Sequence, residues 1–65
     1  MQSGPSNKYR QCADLLEAML PRRNMYEQTV LRNYIVGLRS SDPIAWGRAN
    51  AAQAPAIASV LGITI

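Results

Sequence analysis

The sequence predicts an all-α fold, a compact orthogonal array of about four short helices. Apolar residues recur at three- and four-residue spacing through most of the chain. Residues that start and stop helices fall at short intervals, with Asn24, Asp42 and Pro55 as starts and Pro21 and Gly62 as stops. No alternating strand pattern of useful length occurs outside the ambiguous tail GITI. Connectors of only a few residues favour short helices meeting at open angles over a long parallel bundle.

The first helix is expected over residues 6–20. Its apolar residues fall at Tyr9, Cys12, Leu16, Met19 and Leu20, with Ala13 and Leu15 beside them, giving one buried stripe. Ser6 is placed to cap its start, and Arg10 and Asp14 stand four apart on the wet side. Pro21 opposes continuation past Leu20. Residues 1–5 read as a flexible leader or an expression remnant, leaving 6–65 as a single helical domain.

The second helix opens at NMYE, where Asn24 can accept a hydrogen bond from a free backbone N–H while Glu27 reaches back to the cap. At 100° per residue, Tyr26, Val30, Leu31, Tyr34, Ile35 and Leu38 spread over about half the circumference, wider than one neighbouring helix covers. This helix is expected to pack on two sides and to keep an apolar face for a partner. Arg32 and Arg39 share the opposite face with Gln28.

Asp42 caps a third helix near residues 43–52. Pro43 sits at its first position, where a missing N–H costs nothing. Gly47 weakens it by about 1 kcal/mol relative to alanine. Pro55 opens a fourth helix whose Ile57, Val60 and Leu61 form a compact apolar face. Gly62 supplies a left-handed end, after which Ile63 can fold back onto Ile57.

Within that last stretch Ala58 is a small residue, Gly62 follows four positions later, Ile63 supplies a buried side chain and Thr64 is placed to cap a following helix. Residues 54–64 resemble the first helix and turn of helix-turn-helix DNA-binding regulators. The resemblance implies a transcriptional regulator or a fragment of one. It transfers no base-reading residue, because that family reads bases with the next helix and only Ile65 follows the cap position. The plainer role of Gly62 is to terminate a helix.

Composition narrows the chemistry. Sixty-five residues with one cysteine and no histidine offer no intrachain disulfide and no zinc site of the usual ligand set. The four carboxylates Asp14, Glu17, Glu27 and Asp42 each have a helical role and no histidine partner. The expectation is therefore a non-enzyme with no cofactor, no metal and no small-molecule substrate. Cys12 reads as a buried small hydrophobe on the first helix's stripe. The lone thiol and the missing secretory signal suggest an intracellular, cytoplasmic protein. No run approaches the roughly 20 apolar residues of a membrane span.

A chain this short hides only about 60% of its unfolded surface. Self-association or a protein partner is the staple left open to it. The expected partner-binding residues are Tyr26, Val30, Leu31, Tyr34, Ile35, Leu38 and Trp46, the last either filling the core between short helices or anchoring a partner. Arg22, Arg23, Arg32 and Arg39 form a candidate basic strip on a chain of net charge +3, suited to phosphates or acidic side chains. The leading expectation is a small regulatory or adaptor module that binds protein, as a homo-oligomer or with another chain. The alternative is a DNA-binding regulator.

Overall fold

The computed structural model describes residues 5–63 and is all-α. Four helices follow one another: α1 (Pro5–Met19), α2 (Met25–Leu38), α3 (Pro43–Ala49) and α4 (Ala54–Leu61). Single 3-10 turns, Leu20–Arg22 and Ala51–Gln53, extend α1 and precede α4. No strand occurs among the described residues. Nor is any of their helices long and apolar enough to cross a membrane.

The helix ends follow local chemistry. Asn24 Oδ1 accepts from the Glu27 N–H at 2.8 Å, and Glu27 Oε1 accepts from the Asn24 N–H at 3.1 Å, so the capping box is complete. Asp42 accepts from the Ala45 N–H at 3.1 Å with Pro43 opening α3. Gly62 adopts a left-handed φ of 74°. The Ile63 N–H reaches the Ala58 carbonyl at 2.9 Å and the Gly62 N–H reaches Ser59 at 3.2 Å, which is a Schellman end.

Two boundaries differ from expectation. Pro5 opens α1, so Ser6 stands inside the helix instead of capping it. A proline is favoured at that first position because its missing N–H has no helical partner to lose. The remainder of the proposed leader, residues 1–4, lies outside the described residues, as do the proposed cap Thr64 and Ile65. The third helix stops at Ala49 instead of 52. Its end is held by Asn50, whose N–H and side-chain amide both donate to the Trp46 carbonyl, at 2.9 and 2.8 Å.

The core lies where α1, α2 and α4 meet. Ala13 and Leu16 enter from α1, Leu31, Ile35 and Leu38 from α2, and Val60 from α4. Leu31 alone among the described large side chains is fully buried. Sealing such a side chain contributes about 1.5–3 kcal/mol. Tyr9, Cys12, Met19, Leu20, Val30, Tyr34 and Leu61 pack partly buried around that centre.

Polar contacts fix the helices relative to one another. Gln28 Nε2 donates to the carbonyls of Leu20 and Arg23, at 2.9 and 3.1 Å, closing the turn between α1 and α2. Asn33 donates to Gln53, tying α2 to the turn before α4. Arg39 donates to Asp14 at 2.7 Å and to Glu17 at 2.8 Å, clamping the end of α2 onto α1. Asp14 thus pairs with Arg39 where the sequence suggested Arg10.

Candidate functional site

The broad apolar face of α2 is largely satisfied within the chain. Helix α2 packs against α1, α3 and α4, three neighbours where the periodicity suggested packing on two sides. Leu31, Ile35 and Leu38 are consequently core residues and cannot be the partner surface expected of them. Val30 is half-buried against the same core. Tyr26 faces solvent, 64% exposed. The proposition that this helix needs a partner to cover its apolar arc is therefore corrected: α1, α3 and α4 cover its centre.

What stays open is a groove on the other side of Tyr34. It lies between α2, α3 and α4 and encloses about 290 Å³. Tyr34 forms its α2 wall, Trp46 and Asn50 its α3 side, and Ala54, Ile57, Ala58 and Leu61 its α4 side, with Ile63 at the rim. None of the lining residues is charged.

Trp46 shapes this groove through one glycine. A Cβ placed on Gly37 would overlap the indole, so only glycine lets α3 approach α2 this closely. Tyr34 completes the contact, its ring centroid 6.3 Å from that of Trp46 at an interplanar angle of 34°. Such tilted aromatic pairs contribute about 0.5–1.5 kcal/mol beyond burial. The indole is thus half-buried against α2 while its remaining surface faces the groove. Trp46 therefore packs on α2 outside the central core cluster. Gly37 escaped the sequence analysis. Its only signal was a glycine inside an otherwise apolar helical run.

Tyr34 links groove and core. Burial, reinforced by Cys12 and Tyr9 of α1, raises its phenol above the ordinary value of 10.0. It stands as a neutral hydroxyl at physiological pH.

The expected basic strip divides. Arg39 is held by Glu17 and Asp14, and hydrogen bonds to those carboxylates raise its guanidinium above its usual range. Arg23 donates to the Val60 carbonyl at 3.3 Å, placing a cation at the C-terminal end of α4, where the helix dipole favours one. It also lies 3.9 Å from Glu27. Arg32 makes only a 3.5 Å contact with Gln28, and Arg22 is exposed. The four arginines do not form one free row. Among the described residues, ion pairs involve only Arg23 and Arg39, leaving Lys8, Arg10, Arg22, Arg32 and Arg48 without a carboxylate.

Helix α4 carries no cation from Ala54 to Leu61. No cluster of three or more potential metal-ligating side chains occurs among the described residues. Fold and groove together define a small all-α module with an uncharged apolar cleft. Comparison with protein-family models, curated proteins and solved structures finds no match to this chain.

Proposed function

We propose that the chain is a small non-enzymatic module, a regulator or adaptor, that binds protein through the groove between α2, α3 and α4. The supporting observation is Trp46, wedged on Gly37 yet facing an open, uncharged cleft of about 290 Å³. Large aromatic side chains in apolar surroundings are what protein interfaces concentrate their binding energy on. Tyr34 and Trp46 survive from the expected partner-binding set, and Ile57, Leu61 and Ile63 join them. A photoreactive benzoylphenylalanine placed at Ile63, at the rim, tests this reading in cells of the source. It is expected to form a protein adduct that the same group at Val36, on the far face of α2, does not form. Equal labelling at both positions, or none at Ile63, contradicts the proposal.

A second reading is nucleic-acid binding, favoured by the cations that have no carboxylate partner. All four carboxylates are engaged internally: Asp14 and Glu17 with Arg39, Glu27 in its capping box and Asp42 at the start of α3. The net charge of +3 thus rests on cations that have no carboxylate partner. Titration with duplex DNA at two salt concentrations separates the readings, since phosphate contacts make affinity fall steeply with salt. Salt-sensitive binding at micromolar protein supports the second reading, and its absence removes it.

A further inference from the structure

We infer that the C-terminal half of the chain is a flap, latched by Arg23, that lifts from α2 while α1 and α2 stay packed as a hairpin. The inference does not depend on what the chain binds.

The sources of the core are the first argument. Ala13 and Leu16 of α1 and Leu31, Ile35 and Leu38 of α2 make up the central cluster, to which residues 43–61 add Val60 alone. Helix α3 has no fully buried residue, and α4 has only Ala58 and Val60. Apolar burial is the dominant favourable term in folding, so much less of it holds α3 and α4 down than joins α1 to α2. A protein opens locally where few buried apolar contacts oppose it.

Polar ties are the second. The hairpin is fastened at both ends of α2, by Gln28 on the carbonyls of Leu20 and Arg23 and by Arg39 on Asp14 and Glu17. Among the described residues, two side-chain hydrogen bonds tie the C-terminal half back. Asn33 donates to Gln53 before α4, and Arg23 donates to Val60 at its end.

The chemistry of that last contact makes Arg23 the latch. The final four carbonyls of a helix have no partner within it. In α4, Ala58 accepts from Ile63 and Ser59 from Gly62, while Val60 accepts from Arg23 at 3.3 Å. The end of α4 is thus completed by a side chain from the turn between α1 and α2. Arg23 is itself anchored there, its N–H donating to Leu20 at 3.0 Å and its carbonyl accepting from Gln28 at 3.1 Å. Arg23 is a positioning residue for α4. The groove draws Tyr34 from the hairpin and Trp46, Ile57 and Leu61 from the flap, so it exists only while the flap is closed.

Native-state amide hydrogen exchange of the full chain, read by NMR in urea well below the unfolding midpoint, tests the inference. Amides of Ala58–Leu61 should exchange faster than those of Leu31 and Ile35, with a weaker urea dependence because less surface is exposed. Arg23→Met keeps the apolar stem and removes donor and charge. It destabilises only the closed state, and should speed both groups equally, about three- to ten-fold, the equivalent of one hydrogen bond. Ala13→Gly weakens α1, which is intact whether the flap is open or closed. It should speed Leu31 and Ile35 about five-fold and leave Ala58–Leu61 unchanged. Equal rates and equal urea dependence in the two groups would overturn the flap, as would faster exchange of α4 in Ala13→Gly. Unchanged exchange of α4 in Arg23→Met would refute the latch. If either variant fails to fold by circular dichroism, the urea dependence of the parent chain still decides whether the flap exists, and Arg23→Gln replaces Arg23→Met for the latch.

Discussion

The indole of Trp46 lies so close to the backbone of Gly37 that even a methyl group on that glycine would overlap the ring. Gly37→Ala should gain about 0.5–1 kcal/mol of helix preference and lose more by expelling the indole, with overpacking costing about 1–3 kcal/mol. The expected outcome is a lower denaturation midpoint and a red-shifted native emission. An unchanged midpoint and spectrum would show that α3 does not rest on α2 at this point. Gly47 is the contrast, since a Cβ there meets nothing within 4 Å. Gly47→Ala should raise monomer stability by about 0.4–1 kcal/mol.

Along α2, burial divides residues that periodicity placed on one arc. Leu31→Ala should cost about 2–5 kcal/mol, a large share of the roughly 3–10 kcal/mol expected for a chain of this length. Tyr26→Ala should stay within about 0.5 kcal/mol. Urea titration of the two variants checks the division. Equal losses would mean that Tyr26 packs as Leu31 does.

The capping box at the start of α2 has a measurable share in stability. Asn24→Ala removes the side-chain acceptor for the Glu27 N–H and should lower stability by about 1 kcal/mol, with Asn24→Ser restoring most of it. A substitution to alanine that costs nothing would indicate that tertiary packing alone holds this helix end.

Tyr34 gives stability a pH dependence of definite sign. Its phenol is raised above 10.0 in the folded chain, so the folded state holds that proton more tightly than the unfolded state. This contribution is fully present below pH 10.0. It is lost as pH rises through that value towards the higher folded-state pKa. Denaturation midpoints measured across this alkaline range should fall more steeply in the parent than in Tyr34→Phe. Identical profiles would place Tyr34 in solvent.

How much of this was legible depended on how local the governing contact is. Asn24 with Glu27, Asp42 with Pro43 and the left-handed Gly62 act within one helical turn, so their spacing alone revealed them, whereas Ile63, expected to be buried against Ile57, is 57% exposed. The partners of Arg39 lie 25 and 22 residues away on α1, and no short-range rule distinguishes that pairing from Arg10 with Asp14. The arc of α2 was visible as a period. Its division into core and groove was set by where α1, α3 and α4 landed, which depends in part on Gly37 admitting Trp46. The apolar groove was therefore only half visible, through Tyr34 and Trp46, while Ile57, Leu61 and Ile63 read as an ordinary helix face and its end.

The central structural claim is that the Trp46 indole rests on Gly37 at the edge of the groove. Nuclear Overhauser spectra of the labelled chain test it residue by residue. The account predicts contacts from the Trp46 ring to the Gly37 Cα protons and to the Tyr34 ring, and none to Met25 or Val36. A Trp46 ring without contacts to Gly37, or with contacts to Tyr26 or Val36 instead, would contradict it.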